Sequence, residues 1–239
     1  MYTTEIEEGK KKIISTGHAE IDKKLGGGLP IGSLTLVEGE SDAGKSVLCQ
    51  QMIWGSLHDG CRCILFTTEN TTKSLVSQMD SLGLYILDYL LLGRLKVYYM
   101  KPSQVKTRPS EALATILKTM AGRPEFPLII IDSLTPMLSI ASDIDILNYF
   151  ERCKYFCDQE RTIINVTHSY ALSNDVLPRL RSACDAHLRL MIEKIGDKLV
   201  KTLEVAKVRG AAQTTGNIIT FEVEPEVGMK IMPLSRAKA

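Results

Sequence analysis

Apolar positions along this chain follow two rhythms. Short, nearly continuous apolar runs occur at Ser33-Leu34-Thr35-Leu36-Val37-Glu38, at Cys61 to Thr67 around Ile64-Leu65-Phe66, and at Leu95 to Met100. Two more occur at Pro127-Leu128-Ile129-Ile130-Ile131-Asp132 and at Thr162 to Thr167 around Ile163-Ile164 and Val166. Runs of this length without alternation predict parallel strands covered on both faces. Between them the spacing turns helical: Val47 to Leu57, Thr71 to Ser81 with Leu75, Val76 and Met79, and Ser110 to Met120 opened by Pro109. Asp145 to Asp158 follows, with Ile146, Leu147, Phe150, Cys153 and Phe156 as its apolar stripe. A short helix from Ala19 to Leu25 is closed by Gly26-Gly27-Gly28 and Pro30.

From Ala183 onward the rhythm changes. Ala186-His187-Leu188-Arg189-Leu190, Leu199 to Val208 and Asn217 to Val223 predict strands joined by turns at Gly196-Asp197 and Gly210 to Gly216. The order predicts an α/β fold: a central, mostly parallel sheet flanked by helices and extended by C-terminal antiparallel strands. No internal repeat, low-complexity tract or linker interrupts it, so residues 1–239 are expected to form one domain. Residues 1–14, polar and charged for most of their length, are expected to be flexible.

Composition narrows the function. The chain is 44% hydrophobic and 24% charged with a formal net charge of +1. That balance gives no electrostatic case for general nucleic-acid binding. Lys10-Lys11-Lys12 is the longest basic run and reads as a solvated edge. No apolar stretch reaches the roughly 18 residues of a membrane span, and the start has no signal-peptide pattern, so a cytoplasmic protein is expected. The six cysteines (Cys49, Cys61, Cys63, Cys153, Cys157 and Cys184) lack zinc-ligand spacing and read as free thiols of a reducing compartment. His18, His58 and His187 have no partner pattern.

The candidate chemistry lies between the first long strand and its helix. Gly39-Glu40-Ser41-Asp42-Ala43-Gly44-Lys45-Ser46 is a complete G-x-x-x-x-G-K-[ST] loop in the strand–loop–helix setting that motif requires. Gly39 and Gly44 are expected to let the backbone turn its N–H groups toward phosphate. The following helix adds the positive end of its dipole. Gly39 through Ser46, with Val47, form the expected cofactor-binding set. Lys45 would reach the β- and γ-phosphates of ATP, and the Ser46 hydroxyl would ligate Mg2+. A second magnesium ligand is expected at the carboxyl end of a buried strand, where the apolar run 127–131 meets Asp132. Ser133 and Thr135 beside it read as turn residues.

These features do not stand alone. Ser15-Thr16-Gly17, Leu25-Gly26-Gly27-Gly28-Leu29-Pro30, Gly32 and Leu36-Val37-Glu38-Gly39, with Lys207-Val208-Arg209-Gly210 near the end, resemble the RecA-like ATPases and, among them, the KaiC-like branch. The resemblance spans nearly the whole chain and implies a RecA-like P-loop core. The phosphate loop, Ile131-Asp132-Ser133-Leu134-Thr135-Pro136 and Val166-Thr167-His168-Ser169 are most similar to the accessory ATP-binding subunits of the archaeal motility filament, the archaellum. That likeness implies a homo-oligomeric ring, hexameric in related ATPases, at the base of a rotary motor. It implies as partners the motor ATPase, the membrane platform protein and a scaffolding ring protein.

By the same resemblance, Glu69 corresponds to the glutamate that polarises the attacking water. KaiC domains place a second glutamate next to it, whereas this chain has Asn70. An amide orients water but cannot take its proton, so weak hydrolysis is expected. Lys207 and Arg209 correspond to cations that reach a neighbouring subunit's γ-phosphate, and the i, i+2 spacing puts both on one strand face. The alternative for them is an exposed basic edge strand. His168 corresponds to a γ-phosphate sensor. Tyr170 to Ser182 occupies the place of a DNA-contacting loop in related recombinases. Its Val176, Leu177 and Leu180 instead suggest a short amphipathic helix suited to a protein partner. Two alternative functions stay open here: an active KaiC-like signalling ATPase or autokinase, and a RadB-like recombination factor.

Overall fold

The computed structural model describes residues 13–195, 198–211 and 218–232. Lys10-Lys11-Lys12, the turn at Gly196-Asp197 and Asn217 lie outside the described residues. Strand β1 (Ile13–Ile14) pairs antiparallel with β2 (Leu29–Pro30), and helix α1 (Ala19–Lys24) lies between them. Ile14 is buried. Asp22 fixes this entry: its carboxylate accepts from the Ser15 hydroxyl at 2.7 Å, the Thr16 amide at 2.8 Å and the Thr16 hydroxyl at 2.7 Å.

The alternating part follows in chain order. Strand β3 (Leu34–Gly39) leads to α2 (Lys45–His58) and β4 (Cys63–Thr67), then to α3 (Thr72–Ser81) and α4 (Leu87–Leu91). Strand β5 (Leu95–Tyr99), α5 (Pro102–Thr107) and α6 (Pro109–Ala121) precede β6 (Leu128–Asp132). Then come α7 (Thr135–Leu138), α8 (Asp143–Cys157), β7 (Thr162–His168) and α9 (Val176–Ala183). The chain closes with β8 (Ala186–Ile195), β9 (Lys198–Val208), β10 (Ile218–Glu224) and β11 (Gly228–Met232).

Among the described residues the large sheet has nine strands in the order β11-β10-β9-β8-β3-β7-β6-β4-β5. From β8 to β5 every neighbouring pair is parallel, and β8 to β11 form antiparallel hairpins. Alternate residues of the central strands feed two cores. Val37, Leu65, Ile130 and Ile164 pack with Leu48 and Met52 of α2 and with Leu75 and Met79 of α3. Leu36, Phe66, Ile129 and Ile163 pack with Leu113 and Ile116 of α6 and Phe150 and Cys153 of α8. This two-sided burial is why the central strands read as continuous apolar runs.

Several elements depart from the sequence reading. Helices α4, α5 and α7 are too short to display a helical period, and β11 is a five-residue strand beyond the last predicted one. The strand expected from Cys61 begins at Cys63, so Cys61 precedes β4. Tyr149 joins the buried stripe of α8, where its hydroxyl donates to Asn165 Oδ1 at 3.0 Å. Helix α9 exists, but Val176 and Leu180 are buried in the same core as Phe150 and Cys153. Its apolar face therefore serves this chain's own packing and is not offered to a partner.

Ile130 is fully buried in β6, immediately before the carboxyl edge. Ile130→Ala is expected to cost about 2–5 kcal/mol, read as a lower midpoint in a urea melt. An unchanged midpoint would contradict this packing.

Candidate functional site

Parallel register sets the carboxyl ends of the central strands side by side. Gly39 of β3 pairs with His168 of β7, and Thr67 of β4 pairs with Asp132 of β6. The loop that leaves β3, the Asp132 carboxylate, the His168 ring and Glu69, two residues past β4, thus share one edge.

The loop itself is shaped at two glycines for two different reasons. Gly44 sits at φ 94°, left-handed, at the N-cap of α2, and a Cβ there would lie 3.0 Å from the Phe221 ring. Gly39 needs no positive φ. A Cβ on it would lie 2.1 Å from the Leu190 carbonyl oxygen, so its role is close approach to β8 rather than the expected freedom to turn. Asp42 takes the other left-handed position, at φ 59°, which aspartate tolerates better than most residues. Ala43 is fully buried beneath the loop.

Lys45 folds back over this loop. Its Nζ donates to the Glu40 carbonyl at 2.5 Å and lies 3.5 Å from His168 Nδ1, which in turn lies 3.5 Å from the Ser41 hydroxyl. Burial lowers the Lys45 pKa, against the pull of the Asp132, Glu69 and Asp42 carboxylates. Burial and the Lys45 charge lower that of His168, favouring a neutral ring that accepts a proton contact. Ser41, Lys45, Ser46, Glu69 and His168 line one cavity of about 400 Å3.

Asp132 is almost wholly buried behind them. Burial first, then the Glu69 charge, push its pKa up to about 7, against a hydrogen bond from the Ser46 side chain and the charge of Lys45. A hydroxyl and a carboxylate in contact, with a second carboxylate near, are the oxygen donors a hard divalent cation takes. The cation would also relieve the crowding that raises Asp132. Glu69 is held by its backbone: its amide and that of Asn70 donate to the Thr67 hydroxyl at 3.2 and 3.1 Å. The Thr68 hydroxyl ties this segment to Ser133 in both directions at 3.3 Å. Asn70 is held by α3. Its Nδ2 donates to Gln78 Oε1 at 3.1 Å, and its Oδ1 accepts from the Ser74 hydroxyl at 3.2 Å.

Lys207 and Arg209 are not brought to this cavity. Lys207 pairs with His187 at the start of β8, which pairs in turn with Leu36 of β3. They therefore belong to the amino edge of the sheet, about 10 Å or more along the strands from Gly39. Lys207 Nζ donates to the Arg181 carbonyl at 2.6 Å and the Ser182 carbonyl at 3.3 Å, and Arg209 Nη2 donates to the Ser182 carbonyl at 3.1 Å.

Three features were not anticipated from sequence. Lys201 of β9 and Gln78 of α3 also line the cavity. Lys201 comes from a hairpin far along the chain, and only its cross-strand pairing with Phe221, the residue against Gly44, could have flagged it. Glu38, directly before the loop, has a side chain with no exposure; Arg181 grips both its carboxylate oxygens, and His187 Nε2 lies 3.2 Å from one of them.

Comparison with known proteins places these features in a family. The model of the family described as "ATPase: KaiC" matches residues 14–236. The archaeal flagellar ATP-binding protein FlaH of Sulfolobus acidocaldarius is 27% identical over 229 residues, covering 95% of this chain and 100% of that protein. Its namesake from Methanocaldococcus jannaschii is 29% identical over 220 residues, covering 91% and 94%. The crystal structure of flagellar accessory protein FlaH from M. jannaschii superposes with a TM-score of 0.82 at 28% identity, covering 90% of this chain and 95% of that one. The architecture is the RecA-like fold of KaiC-type ATPases, with antiparallel strands added at the C-terminus. No helix among the described residues is long and apolar enough to cross a membrane.

The Glu38–Arg181 pair gives a pH test. His187 and Arg181 hold the Glu38 pKa below its ordinary 4.5, although burial alone would raise it. A depressed carboxylate contributes stability that is present above the unfolded value and lost as pH falls through the folded one. Acidification below 4.5 is therefore expected to remove this contribution. Glu38→Gln paired with Arg181→Gln should give a flatter stability–pH curve in that range, measured by urea melts. An equally steep curve would contradict the assignment. Arg181→Ala alone is expected to cost about 2–3 kcal/mol at neutral pH, less than for an enclosed pair because Arg181 is partly in water.

Proposed function

We propose, from the premise that this chain belongs to the KaiC family of ATPases, that it is an ATP-binding regulatory subunit of an archaellum motor. In this reading, ATP binding controls ring assembly and partner contact, and intrinsic hydrolysis is weak. One observation carries it. Lys45, Ser46, Glu69 and His168 line one cavity with Asp132 hydrogen-bonded to Ser46 behind it, while Lys207 and Arg209 stand toward the opposite edge of the same sheet. In this reading the chain holds a triphosphate with its own loop, and Lys207 and Arg209, seated away from that loop, act on a neighbour's.

The geometry supports the following roles. Backbone N–H groups of the loop and the start of α2 hold the phosphates. Lys45 exchanges its carbonyl partner on Glu40 for phosphate oxygen. Ser46 and Asp132 would hold Mg2+, which would supply positive charge to the bound phosphates. His168, neutral and beside Lys45, is placed to register the γ-phosphate. Glu69 orients water. Lys201 adds a cation from β9 on the side of Gly44. Because Lys207 and Arg209 serve the adjacent subunit, nucleotide and assembly favour each other.

Likeness to FlaH over nearly the full length supports the motor setting. The motor ATPase, the membrane platform protein and the scaffolding ring protein are the partners this reading assigns, with the chain reaching the membrane only through them. A second reading, an active KaiC-type ATPase, draws on Glu69 lining the cavity. Against it, the residue that follows Glu69 is Asn70, an amide that cannot take a proton from water and is tied to Ser74 and Gln78.

Lys45→Ala and Asp132→Ala are each expected to weaken magnesium–ATP binding by about 100-fold or more, roughly the loss of one or two charge-assisted contacts, measured by calorimetric titration. Unchanged affinity in both variants would sink the site assignment. Arg209→Ala should leave binding by dilute monomer nearly intact yet weaken ATP-dependent assembly by about tenfold, followed by analytical ultracentrifugation. Assembly equal to wild type would overturn its role across subunits.

A further inference from the structure

We infer that Arg181 is a positioning residue that couples the strand feeding the phosphate loop to the seat of Lys207 and Arg209. A subunit then presents its two cations to a neighbour from a seat held rigidly to its own loop. This rests on the reading of Lys207 and Arg209 as groups that act across a subunit boundary.

Arg181 faces two ways. Its guanidinium holds both oxygens of Glu38, the residue immediately before Gly39, at the carboxyl end of β3. Its backbone carbonyl accepts Lys207 Nζ at 2.6 Å. The next carbonyl, Ser182, accepts from Lys207 at 3.3 Å and Arg209 at 3.1 Å. These are carbonyls of the last turn of α9, which lack helical partners and attract cations.

The other end of β3 is tied to the same segment. Asp185 Oδ2 accepts the Leu34 amide at 3.0 Å, the Leu34 carbonyl accepts the Asp185 amide at 2.7 Å, and the Asp185 carbonyl accepts the Arg209 amide at 2.8 Å. Lys154 holds Asp185 in place at 2.6 Å. Residues 181–185 are thus bound to both ends of β3, and they carry the seat of both cations. The Lys207 ammonium has three donors, enough to keep a carbonyl and take a phosphate oxygen together.

A purely structural role would not require this chemistry. An apolar pair of similar volume would pack α9 on β3 without the desolvation of a fully buried carboxylate. What the ion pair adds is a directional, two-point hold between the loop strand and the residue whose carbonyl seats Lys207.

The test separates the subunit that gives cations from the subunit that binds nucleotide. A Lys45→Ala protein serves as donor: impaired in its own site, it keeps Lys207 and Arg209. Excess donor is mixed with wild-type protein, and binding of a fluorescent ATP analogue to wild type is titrated. The donor is expected to tighten that binding. A donor that also carries Glu38→Gln and Arg181→Gln should lose about fivefold or more of the enhancement, within the usual range of site-to-site coupling. Full enhancement by that donor overturns the inference while leaving the cross-subunit reading intact. Full enhancement by a Lys45→Ala, Arg209→Ala donor, or no enhancement by any donor, overturns that reading and the inference with it. If the amide pair fails to fold by circular dichroism, Arg181→Lys, which keeps the charge but not the two-point grip, replaces it with the same expected direction.

Discussion

Parallel register is the constraint on which this structure turns. A strand end can deliver a group to a shared ligand only if its neighbours end at the same level. Here Gly39 stands opposite His168, and Thr67 opposite Asp132. The two apolar cores on either side of the sheet hold that level, so core packing and site geometry are one problem. A slip of one residue would point Asp132 into a core and Ile131 at the loop. The glycines serve the same end. Gly39 lets the loop strand lie against β8, and Gly44 turns the chain into α2 under the Phe221 ring.

Charge is distributed with equal economy across the sheet. The carboxyl edge gathers Lys45, Glu69 and His168 around one cavity with Asp132 against Ser46. Burial lifts Asp132 and depresses Lys45 and His168, with the Glu69 charge adding to the first shift, neighbouring carboxylates opposing the second and the Lys45 charge adding to the third. The amino edge seats Lys207 and Arg209 on the end of α9. On the proposed reading, neither edge makes a complete phosphoryl-transfer site alone. A ring in which one subunit's amino edge meets the next subunit's carboxyl edge would complete it, and would make nucleotide a component of assembly. The buried Glu38 joins the two edges within one chain.

Much of this was legible in the sequence. Gly39 to Ser46 and the run ending in Asp132 carry their chemistry in contiguous residues, so pattern alone exposes them. The long parallel strands were legible because burial on both faces removes alternation. Other features depend on contacts between distant segments. Lys201 and Gln78 reach the cavity only through tertiary packing, and Glu38 meets Arg181 and His187 only once β3, α9 and β8 are assembled. The apolar stripe of α9 was visible, but amphipathicity does not say which surface it covers. Helices α4, α5 and α7 span too few residues for a period to emerge.

Asn70, the amide that follows Glu69, is engaged by Ser74 and Gln78 of α3. If Glu69 is the group that acts on water, with an amide rather than a second carboxylate following it, ATP is expected to be held far longer than it takes an ordinary enzyme to consume it. The most direct measurement is a single-turnover experiment with magnesium–ATP and excess assembled protein, quenched over seconds to an hour. The expected result is bound ATP largely intact after a minute, against typical enzyme turnover of about 1 per second or faster. Hydrolysis at several turnovers per second would contradict the account and identify the chain as an active ATPase.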